Sequence, residues 1–257
     1  MHMSIFLAGA GPDPEAFPGV FDRFAHEVSR AARAGQARIA VVVHDRGGNP
    51  AGRLPGYVEP LRARLPFEAV EVLLGPGQAV DPDKFDGVHG VVVGGGLTPA
   101  YYDGLVGAAE RIFRHVADGA AYLGFSAGAM VAPGRALVGG YRVDGVEVCG
   151  EECSEDLDAL DIRDGLGLAP FTVDVHAAQA GTLGRAIGAV TAGLAARAVA
   201  IDENTAVILP AIGSEDYEVI GSGNCWDIRR NSGSVPGQPE TAPPGGAAVV
   251  SVRRPRP

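Results

Sequence analysis

The stretch that most constrains the fold is "ARIAVVVH", Ala37 to His44. Its apolar character is continuous and does not alternate with polar residues. That fits a strand buried on both faces, as in a parallel sheet covered by helices. Similar strands are expected at Ser4 to Ala10, at Glu68 to Gly75, at Phe85 to Gly96 and in "GAAYLGFSAGAM", where strand, sharp turn and helix follow one another.

Helical spacing fills the intervals. Phe21, Phe24, Ala25, Val28, Ala31 and Ala32 predict a helix from Phe17 to Ala34, ended by Gly35. A short helix is expected in the second half of Ala51 to Pro66, with Pro60 confined to its first turn. Another should start with Thr98 as N-cap and Pro99 as first helical residue. Strands thus alternate with helices through the first 130 residues. That is the signature of an α/β fold with a mainly parallel sheet.

The second half is less regular. "RALVGGYRVDGVEV" reads as extended and hairpin-like, and "GTLGRAIGAVTAGL" as a glycine-diluted helix. "ARAVAIDENTAVILP" holds two short strands about the turn Asp202-Glu203-Asn204. Asn231 to Gly246 is a flexible loop by composition.

With 257 residues, 46% of them hydrophobic, the chain can bury one sizeable core, and a single domain over residues 1–257 is expected. A net charge of −10 argues against nucleic-acid and anionic-membrane partners. The sequence has no apolar run of about 18 residues and no recognisable signal peptide. Together with only three cysteines, this gives a cytoplasmic expectation. Cys149 and Cys153 form a CxxxC pair, read as two free thiols beside a loop rather than a metal site. The acidic stretch Glu151 to Asp164 is either a solvated loop or the rim of an active site.

The chemistry centres on "LGFSAGAM", Leu123 to Met130. A GxSxG turn projects its serine from the end of a buried strand, and the following helix start favours developing negative charge. Ser126 is the candidate nucleophile. "VVVGGGLT", Val91 to Thr98, can bring backbone N–H groups of Gly95 or Gly96 near it, and with the N–H of Ala127 these could form an oxyanion hole. A serine needs a base. His176, in "APFTVDVHAAQAG", is the best placed histidine, with His44 its only rival. The imidazole needs an acid to fix its tautomer. Asp144, Glu147, Asp174, Asp202 and Glu203 all remain open on the residues alone.

These motifs, in this order, resemble the peptidase S51 family of cyanophycinases and aspartyl dipeptidases, whose fold is similar to that of class I glutamine amidotransferases. The matching segments are "VVVGGGLT", "GFSAGA", "GLGLAPFTVDVHAAQAGTLGRA" and "AIDENTAVI", spanning roughly Gly87 to Leu209. The resemblance implies a three-layer α/β/α sandwich of flavodoxin-like arrangement and a homodimer. It also implies a serine peptidase or amidohydrolase that acts on a small peptide or amide and needs no metal or organic cofactor. Carried over by position, Ser126 is nucleophile, His176 base and Glu203 the preferred acid, with Asp144 the alternative. Gly95, Gly96 and Ala127 would hold the oxyanion, and Gln179, Arg185 and Leu97 would meet the substrate.

The chain departs from the family at the substrate side. Ala180 and Thr182 stand where arginines are common, Leu97 stands where asparagine or aspartate is usual, and only Arg185 remains of the basic residues. Arginine is the natural clamp for a carboxylate, so the departures predict a less acidic amide, ester or peptide end. They also keep two other functions open: a non-catalytic binding protein on the same fold, and an esterase or acyltransferase using the same serine.

Overall fold

A computed structural model describes residues 4–33, 35–231 and 247–255. The loop expected at Asn231 to Gly246 falls, beyond Asn231, outside the described residues.

The first part of the chain alternates as its apolar pattern demands. It runs β1 (Ile5–Ala8), α1 (Pro18–Ala32), β2 (Ala37–His44), α2 (Pro50–Arg62), β3 (Phe67–Leu74), β4 (Gly90–Val93), α3 (Thr98–Leu105), α4 (Ala109–Ala117), β5 (Ala121–Phe125) and α5 (Ala127–Val131). The rest is β6 (Arg135–Gly139), β7 (Arg142–Val143), β8 (Val146–Glu147), β9 (Asp161–Asp164), β10 (Thr172–Val175), α6 (Leu183–Thr191), β11 (Arg197–Ile201), β12 (Thr205–Leu209), β13 (Glu218–Gly221), β14 (Cys225–Arg230) and β15 (Ala248–Arg253).

Seven strands form the central sheet in the order β13-β12-β1-β5-β4-β2-β3. The five from β1 to β3 in that order are mutually parallel, and β12 and β13 add antiparallel to the β1 edge. β2 shows why "ARIAVVVH" has no polar side. Ala40 and Val42 pack with Tyr101, Leu105, Ile112 and Val116 of α3 and α4. Ile39, Val41 and Val43 pack on the opposite face with Phe21, Phe24 and Val28 of α1 and Leu54, Tyr57 and Leu61 of α2. Each such fully buried side chain contributes about 1.5–3 kcal/mol over exposure. Helices therefore cover both faces, giving a three-layer α/β/α sandwich. The order reverses between β2 and β4, and in open α/β sheets the crevice at such a switch point is where ligands bind.

A second sheet, β10-β11-β14-β15, carries α6 on one face through Ala186, Ala189 and Val190 against Ala198, Ala200 and Ile228. β11 and β12, the two strands about Asp202-Glu203-Asn204, do not pair. One belongs to each sheet, and the three-residue link is the crossing between them.

Three local expectations need correction. α2 starts at Pro50 and keeps Pro55 and Pro60 inside it, rather than starting near Pro60. Asn49 caps it by accepting the Gly52 N–H (3.2 Å), and burial of Leu54, Tyr57, Val58 and Leu61 on one stripe outweighs the lost proline N–H groups. α3 begins one residue early, with Thr98 as its first residue, because the Thr98 hydroxyl and N–H both donate to Glu155 instead of capping. The hairpin is confined to β7 and β8, whose turn residues Asp144 and Gly145 both have positive φ, as a two-residue I′ turn requires. β6 pairs with β9 instead.

Candidate active site

Ser126 follows β5 directly and caps α5 with φ 49° and ψ −108°, a backbone region that a serine rarely occupies. The flanking glycines permit the turn. A Cβ on Gly124 would lie 2.4 Å from the Gly128 carbonyl oxygen, and one on Gly128 would lie 2.3 Å from that of Val93. The Ser126 N–H donates to Ala8 O at the end of β1 (3.0 Å).

His176 follows β10, also with positive φ (56°), and its N–H donates to Gly9 O (3.1 Å). The Ser126 Oγ lies 2.9 Å from His176 Nε2. On the far side of the ring, Nδ1 lies 2.7 Å from Glu203 Oε1. A carboxylate can only accept, so Nδ1 carries the proton and Nε2 is left to accept from the serine. Of the five acids left open by the sequence, Glu203 meets the imidazole. Asp144 lies exposed in the β7–β8 turn. Asp202 is buried and accepts from the Ala178 and Asn224 N–H groups and from Trp226 Nε1, which fixes the link that carries Glu203.

The glycine turn after β4 lies against Ser126, since a Cβ on Gly95 would stand 3.0 Å from Ser126 Cβ. Its N–H groups divide. Gly95 donates to Tyr57 Oη (2.9 Å), so it is already engaged. Gly96 N–H has no acceptor among the described residues. Ala127 is the first residue of α5, a position whose N–H has no intrahelical acceptor. The oxyanion donors this geometry offers are therefore Gly96 and Ala127.

The expected substrate residues fare differently. Leu97 lines a cleft beside the glycine turn. Gln179 accepts the Glu203 N–H (2.9 Å), tying the acid's link to the histidine's loop. Arg185 is not available to a substrate. It is 2% exposed and makes a two-pronged ion pair with buried Asp174 (2.9 and 2.6 Å), with a third bond to Cys153 O. Burial of the pair explains the error. An arginine at that sequence position reads as a clamp, but its partner was already in the chain, eleven residues before it.

Tyr57, Arg46 and Arg53 escaped sequence reading, and His44 entered it only as a rival base. Tyr57 holds Gly95, and His44, Arg46 and Arg53 line the cleft with Gly96 and Leu97. The acidic stretch supplies the other wall of that cleft through Glu151, Glu152, Glu155 and Asp156. Burial raises the carboxyl pKa of Glu155, against the opposing hydrogen bonds from Thr98. The three cysteines are free, and burial pushes Cys149 up to about 11. No cluster of three metal-ligating side chains occurs among the described residues. No helix among them is long and apolar enough to cross a membrane.

In solved structures, the fold is similar to that of a peptidase from an acI-B1 actinobacterium, with TM-score 0.59 and 17% identity over 97% of this chain and 94% of that one. It is also similar to a candidate peptidase E protein from Listeria monocytogenes EGD-e, with TM-score 0.50 and 13% identity over 87% of this chain and 100% of that one. No family model matches the chain. No curated protein matches it in sequence. The fold is peptidase S51-like, mainly parallel and flanked by helices, as the serine and glycine turns imply.

Proposed function

We propose that this chain is a serine hydrolase that cleaves a peptide-like amide bond. The observation that carries the reading is the continuous chain from Ser126 Oγ to His176 Nε2 (2.9 Å) and from His176 Nδ1 to Glu203 Oε1 (2.7 Å), mounted on a strained serine turn. Two peptidases of the same fold support the reaction class.

Ser126 attacks the amide carbonyl while His176 takes its proton, and Glu203 steadies the imidazolium. The negative charge that develops on the carbonyl oxygen meets the Gly96 and Ala127 N–H groups at the start of α5. His176 then returns the proton to the leaving amine, the acyl-enzyme forms, and water activated by the same base hydrolyses it.

Intact-mass analysis after incubation with a fluorophosphonate tests this. One adduct should form on the wild type, none on Ser126→Ala, and formation should be strongly slowed in His176→Ala. Folded wild-type protein that forms no adduct would overturn the reading.

A further inference from the structure

The proposed chemistry needs the Gly96 N–H aimed at the reacting carbonyl, yet the three glycines give the turn no side chain to hold it there. Glycine takes either sign of φ at little cost, so an untied Gly95–Gly96 peptide is free to turn over and present its carbonyl oxygen to Ser126 instead. The neighbouring Gly94–Gly95 peptide is tied at both ends. Gly94 O accepts the Gly128 N–H (3.1 Å), and the Gly95 N–H donates to Tyr57 Oη (2.9 Å). The Gly95–Gly96 peptide has one tie among the described residues, from the Tyr101 hydroxyl to Gly95 O (3.3 Å).

The surroundings of Tyr101 leave its hydroxyl little choice. The side chain is fully buried on α3, and its ring stands edge-on to that of His44 with centroids 5.8 Å apart. Its oxygen accepts the His44 N–H at the end of β2 (3.0 Å), so its own hydrogen remains to be donated, and Gly95 O is the acceptor within reach. Both tyrosines stand on one side of the turn. A Cβ on Gly94 would lie 2.7 Å from Tyr101 Oη and 2.9 Å from Tyr57 Oη, whereas one on Gly95 would meet Ser126 Cβ at 3.0 Å. No peptide among the described residues is cis. In a trans peptide the carbonyl and the N–H point opposite ways. A carbonyl held on Tyr101 therefore sends the Gly96 N–H away from that hydroxyl, and this N–H has no acceptor among the described residues.

We propose that Tyr101 is a positioning residue that presets the oxyanion hole, by holding the Gly95–Gly96 peptide with its N–H toward the reacting carbonyl. It acts through the peptide and not on the substrate. The proposal rests on Ser126 being the reacting centre. A donor already in place needs no reorganisation as negative charge develops. Tyr57 is the lesser support, because the Gly128 N–H still holds Gly94 O when the Tyr57 hydroxyl is removed. The Tyr101 hydroxyl also joins the end of β2 to the turn after β4, its neighbour in the sheet. The strand beside the glycine turn thus helps to set the hole.

Fluorophosphonate labelling reads the hole directly, because the phosphonyl oxygen of the adduct takes the place of the oxyanion. Tyr101→Phe keeps the ring and removes the hydroxyl. Its labelling rate should fall about fivefold to tenfold, the worth of one neutral hydrogen bond. That is well short of the roughly 10²–10³-fold cost of deleting a donor outright. Tyr57→Phe should cost less. The phosphorus NMR resonance of the Ser126 adduct should differ between Tyr101→Phe and wild type, which a merely structural role of the tyrosine would not bring about. In the wild-type adduct the Gly96 amide proton should move downfield from its position in the free protein. That measurement needs no variant and stands even if Tyr101→Phe does not fold. Labelling of Tyr101→Phe within twofold of wild type overturns the proposal. So does slowed labelling with an unmoved phosphorus resonance, a larger loss in Tyr57→Phe than in Tyr101→Phe, or an unmoved Gly96 amide. A wild type that does not label would instead overturn the hydrolase reading.

Discussion

Replacing Glu203 with glutamine keeps the side-chain shape and removes the charge facing His176. The cost follows from where the pair sits. When Nε2 takes the serine proton, the imidazolium stands against the carboxylate across the 2.7 Å Nδ1–Oε1 contact. Unit charges about 4 Å apart are worth about 1 kcal/mol in bulk water and about 4 kcal/mol at an effective dielectric near 20. The His176 and Glu203 side chains are 30% and 43% exposed, so the pair falls between those limits. A loss of about 2–3 kcal/mol in transition-state stabilisation slows the reaction about 30- to 150-fold. That is well short of the roughly 10⁴-fold cost of replacing a fully buried triad acid. The assay is the second-order rate of fluorophosphonate adduct formation on Glu203→Gln, with wild type and His176→Ala in parallel. A loss under threefold would mean that Glu203 is not the acid. A loss equal to that of His176→Ala would refute the argument that solvent screens the pair.

Arg185→Met leaves Asp174 charged and buried without its partner, so urea denaturation should show a loss of about 3–5 kcal/mol. Unchanged stability with weakened substrate binding would restore Arg185 as a substrate clamp. Burial holds the Cys149 thiol up to about 11, so its thiolate appears only at high pH. Alkylation by iodoacetamide at pH 8, followed by peptide mapping, should be about two orders of magnitude slower than for an ordinary thiol with a pKa near 8.5. A rate equal to that of an unburied thiol would contradict this.

The sandwich was legible because burial on both faces writes itself into runs such as Ile39 to Val43, where no polar residue interrupts the strand. The serine turn was legible because its backbone needs small residues at fixed places. Gly124 and Gly128 are required by carbonyl oxygens that leave no room for a Cβ. The N–H groups left open in the glycine turn were only half legible, because "GGG" does not say that the Tyr57 hydroxyl, 38 residues earlier, engages Gly95. The choice among the acids depended on β11 and β12 parting into different sheets, which local sequence does not encode.

The two strained residues have a common support. The Ser126 N–H donates to Ala8 O, and the His176 N–H donates to Gly9 O. These are consecutive carbonyls at the end of β1, so one central strand sets the spacing between Ser126 and His176 although they follow strands of different sheets. Gly9 also lets the inter-sheet link come close, since a Cβ there would lie 2.1 Å from Asp202 O. The same stretch of β1 therefore bears on Ser126, His176 and the link that carries Glu203. Holding a non-glycine residue in a sparsely populated backbone region costs about 1–3 kcal/mol, and two occur here at the residues that must touch. Each is held by a backbone hydrogen bond to a rigid, fully buried strand. Neither strain would persist on a loose loop, so the rigidity of β1 is part of what keeps the Ser126–His176 distance at hydrogen-bond length.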